Sequence, residues 1–95
     1  MESRILAEAD RIAGSIRSGD YGHPLTNHWR IAQIWNALLS DKLSSPITPR
    51  EVALMMIALK LARESHSPKR DNLVDIAGYV KCVEMIDDGS AQPVC

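Results

Sequence analysis

Apolar residues recur along this chain at intervals of three and four, the spacing that lines one face of an α-helix. Ile5, Leu6, Ala9, Ile12, Ala13 and Ile16 set out a first helix over about Glu2 to Arg17, with Glu8, Arg11 and Ser15 off its apolar face. Ser18-Gly19-Asp20 stops it. Trp29, Ile31, Ile34, Trp35, Leu38 and Leu39 set out a second helix to about Ser40, capped by Thr26 or Asn27. Its two tryptophans are expected to supply much of the aromatic core.

Thr48-Pro49-Arg50-Glu51 reads as a helix start, with Thr48 as N-cap, Pro49 in the first turn and Glu51 closing a capping box. This third helix runs to about Glu64. It is apolar nearly all round through Leu59, which predicts a central helix packed on more than one side. Ser65 to Lys69 breaks it. Leu73, Ile76, Ala77, Val80, Val83 and Met85 then mark a fourth helix over about Arg70 to Asp87. Gly78 in mid-helix costs roughly 1 kcal/mol against alanine and leaves room for another helix or a ligand. No stretch alternates as a strand does. The pattern predicts an all-α fold, a small four-helix bundle spanning residues 1–88 as one domain, with a disordered tail over 89–95.

A chain of 95 residues buries a limited core, and the third helix has more apolar sides than three short neighbours can cover, so a homo-oligomer is expected. The net charge of −1 gives no general case for nucleic acid or a membrane as partner. The longest apolar run, Val52 to Leu59, falls far short of membrane length. MESRILAEAD carries charges throughout and does not read as a signal peptide. Cys82 and Cys95 show no metal-ligand spacing, so structural zinc is not expected, and a reduced, cytoplasmic protein is.

The candidate chemistry gathers between Lys60 and Tyr79. Lys60 and Arg63 lie on adjacent turns at the end of the third helix, followed by the basic link His66-Ser67-Pro68-Lys69-Arg70. Asp71 and Asp75 share a face of the fourth helix, with Tyr79 four residues on. Each has a structural role open to it: Lys60 snorkelling at a helix edge, Asp71 favoured by the dipole, Asp75 paired with a nearby cation. The functional alternative is convergence on a phosphate, gripped by Lys60 as a point charge and Arg63 as a fork. Asp71 and Asp75 can also hold Mg²⁺. Around Tyr21-Gly22-His23-Pro24, a loop shaped by Gly22 and Pro24, lie Asn27 and Arg30 on one helical face. This loop is expected to reach the same end of the bundle, so that Tyr21, His23, Asn27, Arg30, Lys60, Arg63, His66, Lys69, Arg70, Asp71, Asp75 and Tyr79 line one polar pocket, within one chain or completed by a second subunit.

The blocks YGHPLTNHWRIAQIW, ITPREVALMMIALKLAR and HSPKRDNLVDIAGY resemble a family of small phage and prophage proteins known as a domain of unknown function. The resemblance runs through Tyr21 to Pro24, Asn27, Arg30, Lys60, Arg63, Asp71 and Asp75 to Tyr79. More distantly, the layout is similar to nucleotide-modification-associated helical domains and to the MazG-type all-α NTP pyrophosphatases. Those enzymes bind Mg²⁺ through acidic motifs on two helices. This chain departs from them: Asn27 to Leu39 holds no carboxylate. The resemblance therefore implies a phage protein that binds a nucleotide or cyclic nucleotide, sequestering a signal without a cofactor. Mg²⁺-dependent pyrophosphohydrolysis through Asp71 and Asp75 is the alternative.

Overall fold

A computed structural model describes residues 3–16 and 22–89. Four helices follow one another: α1 (Arg4–Arg11), continued by a π-helical stretch at Ile12–Ile16, α2 (Pro24–Leu38), α3 (Pro49–His66) and α4 (Arg70–Asp88). The fold is an all-α small bundle, and the described residues contain no strand. Among the described residues, no helix is long and apolar enough to cross a membrane. Tyr21 and the segment 90–95, which carries the expected disordered tail, lie outside the described residues.

Local chemistry accounts for the helix ends. Ser3 caps α1 by accepting from the Leu6 amide at 3.2 Å. Thr48 forms the full capping box of α3: its Oγ1 accepts from the Glu51 amide, and Glu51 Oε1 accepts from the Thr48 amide, both at 3.1 Å. α2 begins three residues before the expected position, because His23 caps it. His23 Nδ1 accepts from the Leu25 amide at 3.1 Å, and Pro24, with no N–H to satisfy, takes the first turn. Gly22 makes the entry possible with φ of 87°, a left-handed conformation that side chains resist. The 39–48 connection is clamped by Asn36, whose side-chain amide exchanges two hydrogen bonds with the Ile47 backbone, at 2.7 and 3.2 Å.

α3 and α4 form an antiparallel hairpin. α1 packs along α4, and α2 crosses both α3 and α4. The molecule measures 44 × 33 × 20 Å, so it is about two helix diameters thick. Its core is built of small residues: Ala13, Leu25, Ala53, Cys82 and Ile86 cluster where α1, α2, α3 and α4 meet, and Val52 is the largest side chain fully enclosed. Alanines at Ala9, Ala13, Ala32 and Ala53 let the helix backbones approach closely. The expected tryptophan core is not formed. Leu25, His28 and Ala32 make the buried stripe of α2, while Trp29 and Trp35 are half-buried beside it.

The central helix is α4, which packs against α1, α2 and α3; the expected central helix, α3, meets only α2 and α4, and only Val52 and Ala53 are buried on it. Leu54, Met55, Leu59 and Leu61 remain exposed, at 39–59% of their surface. The near-continuous apolar character of this helix therefore exceeds what the single chain covers.

Buried polar groups are satisfied. His28 Nδ1 donates to the Pro24 carbonyl at 2.9 Å, since a carbonyl can only accept, and the His28 ring meets Tyr79 edge-on at 6.3 Å. Burial pushes the His28 imidazole below the usual histidine range, and the bond to Pro24 opposes that only in part. A histidine held neutral in the fold takes up its proton more readily once unfolded, so stability rises with pH across this window. Acidification from about pH 7.5 to 5.5 is expected to lower the melting temperature. The drop should flatten in a His28→Asn variant, and calorimetry across pH checks both.

Candidate functional site

The α3–α4 turn gathers the cations that the sequence singles out. α3 ends at His66, α4 opens at Arg70, and the link is too short to do more than reverse the chain. Glu64 fastens the turn from below. Its Oε1 accepts from the Lys69 amide at 2.8 Å and from the side-chain amide of buried Asn72 at 3.3 Å. With the backbone so fixed, Arg63, His66 and Lys69 surround one open depression of about 570 Å³, completed by Ala62, Ser67 and Asn72. That volume is in the range of small-molecule sites, roughly 300–1,000 Å³. None of these three basic side chains makes an ion pair among the described residues. The N-terminal, positive end of the α4 dipole points to the same place.

Other candidates are paired elsewhere. Lys60 Nζ lies 2.9 Å from Asp75 Oδ2, with 17% and 27% of the two side chains exposed. Lys60 therefore neutralises Asp75 across the α3–α4 interface. Arg70 reaches 2.6 Å to Glu8 and ties α4 to α1. Asp71 is exposed in the first turn of α4. The described residues hold no group of three His, Cys, Asp or Glu able to bind a metal ion. Tyr79 faces a small cavity of about 30 Å³ between α1 and α4, beside Ala9, Asp75 and Gly78.

The structure does not join the two ends of the expected pocket. His23 sits at the C-terminal end of α4, where a side-chain carbon on Gly89 would lie 3.0 Å from the His23 ring and 3.1 Å from the Met85 carbonyl. Glycine at 89 is what lets the α2 cap dock there. Arg63, His66 and Lys69 stand at the other end of α4. Its 19 residues, at about 1.5 Å of rise each, put roughly 27 Å between the two ends. Asn27 is half-buried in the first turns of α2, and Arg30 is exposed, each on that helix and away from the basic depression.

The pairing of Glu64 with Asn72 is not foreshadowed in the sequence. They pair across a turn, eight residues apart, and no spacing rule marks such a contact. His28 was also missed, since a histidine between cap and tryptophan carries no sign of burial.

Comparison with known proteins adds a family and no chemistry. The domain of unknown function DUF6378 matches residues 4–87. The Gene 55 protein of Mycobacterium phage L5 is 43% identical over 81 residues, covering 84% of this chain and 50% of its own length. The Gene 55 protein of Mycobacterium phage D29 is 38% identical over 87 residues, covering 90% of this chain and 55% of its own length. The chain thus spans about half the length of these relatives. No solved structure matches it.

Proposed function

The chain belongs to the DUF6378 family, whose relatives above are phage proteins, and from that premise we propose that it is a phage-type protein that holds a nucleotide or cyclic nucleotide without hydrolysing it. One observation carries this reading: Arg63, His66 and Lys69 border a single depression, and their side chains make no ion pair among the described residues. Unpaired cations around a concave surface suit a phosphate group, with Arg63 giving forked hydrogen bonds and Lys69 a point charge. His66 adds a donor and a ring on which a base can stack.

The same geometry favours holding over hydrolysis. A Mg²⁺-dependent pyrophosphohydrolase needs acids converging on the metal. Here Asp75 is bound to Lys60, and Asp71 stands one turn away without a third acid beside it among the described residues.

A thermal-shift series with mononucleotides, cyclic dinucleotides and pyrophosphate, each in EDTA and in Mg²⁺, tests the proposal. A ligand at about 100 times its Kd adds about 2.7 kcal/mol, which for a domain of this size raises Tm on the order of ten degrees. The expected result is a shift that survives EDTA. Silence from every phosphate compound would remove the proposal, and product formed only with Mg²⁺ would replace it with the hydrolase.

A further inference from the structure

The α3–α4 hairpin carries a second apolar seam on its outer side, which touches the core only at Val83. On α3, Leu54, Ile57 and Leu61 follow at three and four; on α4, Leu73, Ile76, Val80 and Val83 do the same. This is the spacing of a helix whose apolar stripe meets another helix along its length. Two of these side chains from each helix already share one groove: Leu54, Ile57, Val80 and Val83 line it together. Yet Leu54, Leu61, Leu73 and Val80 are 41–59% exposed, so the seam is made and left half-covered. α1 cannot cover it. Its contact with α4 runs through Val74, Gly78 and Cys82, on the opposite side of that helix from Leu73 and Val80.

We infer that this face is the contact with a second copy of the chain, docked antiparallel about a two-fold axis passing near Ile57 and Val80. Two α3–α4 hairpins joined in this way make an intermolecular four-helix bundle, with coiled-coil-like packing of both seams. The charges left over at the ends of the seam select the antiparallel arrangement. At one end Arg50 is paired with Asp87 and Lys81 with Glu84, and Asp88, at the rim of the groove, makes no ion pair among the described residues. At the other end Arg70 is paired with Glu8, and among the described residues Arg63, Lys69 and Asp71 make no ion pair, which leaves that end net positive with Lys69 at the opening of α4. A two-fold axis at the midpoint brings Asp88 of each copy to Lys69 of the other, whereas a parallel arrangement stacks like charges at both ends. With a net charge of −1, two chains have little overall repulsion to overcome. Lys69 then serves Asp88 of the other copy, and the basic depression remains reachable from the side of Arg63 and His66. Ala62, Arg63 and His66 lie on the flank of α3 opposite Leu54 and Leu61, by helical spacing.

Light scattering coupled to size exclusion tests the inference on the whole chain, in reducing buffer. The unaltered protein is expected to run at about twice the 10.5 kDa of one chain, and Val80→Glu as a folded monomer with unchanged helical circular dichroism. Asp88→Lys should weaken the dimer at least tenfold, and adding Lys69→Glu to it should restore assembly. A monomer at 100 micromolar would overturn the inference. So would a dimer that survives Val80→Glu but is broken by Leu38→Glu, which would move the contact to the exposed end of α2. If Lys69→Glu deepens the defect of Asp88→Lys, the antiparallel arrangement is overturned.

Discussion

Replacing Ile86 with alanine is expected to cost about 2–5 kcal/mol of folding free energy, the largest stability loss of any substitution considered for this chain. Ile86 is 5% exposed and, with Leu25, is one of the two large members of the cluster that also holds Ala13, Ala53 and Cys82. Three of those neighbours are small and fixed on separate helices, so they cannot collapse into the space that an isoleucine leaves. The total stability of a domain is only about 5–15 kcal/mol, so this single change removes a large share of it. The corresponding fall in Tm is roughly 8 °C or more. Urea unfolding at fixed protein concentration checks the value. Leu38→Ala, at a site 77% exposed, is the control and should change stability by about 0.5 kcal/mol or less. A loss below about 1 kcal/mol for Ile86→Ala would mean that the C-terminal half of α4 is not packed against α1, α2 and α3 as described.

The second large effect separates ligand from fold. Arg63→Ala should weaken binding of a phosphate-bearing ligand about tenfold or more, because a hydrogen bond to a charged group is worth roughly 1.5–3 kcal/mol. Folding stability should stay within about 0.5 kcal/mol, since Arg63 is exposed and makes no ion pair among the described residues. Lys60→Ala should do the reverse. It leaves the Asp75 carboxylate, 27% exposed, without its partner at 2.9 Å, at a cost of about 1–3 kcal/mol, and should change affinity by less than about twofold. The two variants, compared by calorimetry for binding and by urea for stability, form a crossed test. If Lys60→Ala abolishes binding while Arg63→Ala leaves it intact, the ligand sits on the α3–α4 interface and not at the turn.

Much of this fold was readable from spacing alone. Intervals of three and four placed all four helices, and Thr48-Pro49-Arg50-Glu51 fixed the start of α3 to the residue because its capping box is a local device. The proximity of Lys60 to Asp75 followed from the short link between α3 and α4, although whether the two would serve each other or a ligand did not. The start of α2 was missed because histidine is an unusual cap and Thr26 and Asn27 are common ones. The single pocket does not form within one chain, for a different reason. Proximity in a bundle depends on which end of each helix a loop joins, and α2 enters at the Gly89 end of α4, a helix length from Arg63. Burial of Trp29 and Trp35 was overestimated because periodicity gives the face of a helix but not how much of that face its neighbours reach.

The basic turn can be tested against the rest of the molecule in a single titration. Two-dimensional amide NMR spectra recorded in EDTA, with pyrophosphate or a nucleotide added in steps, report on every residue at once. The expected result is a saturable set of shifts concentrated between Ala62 and Leu73, with the amides of His23, Arg30 and Gly89 unmoved. Shifts centred on the His23 and Arg30 end, or no shifts at millimolar ligand, would contradict a phosphate site at Arg63, His66 and Lys69.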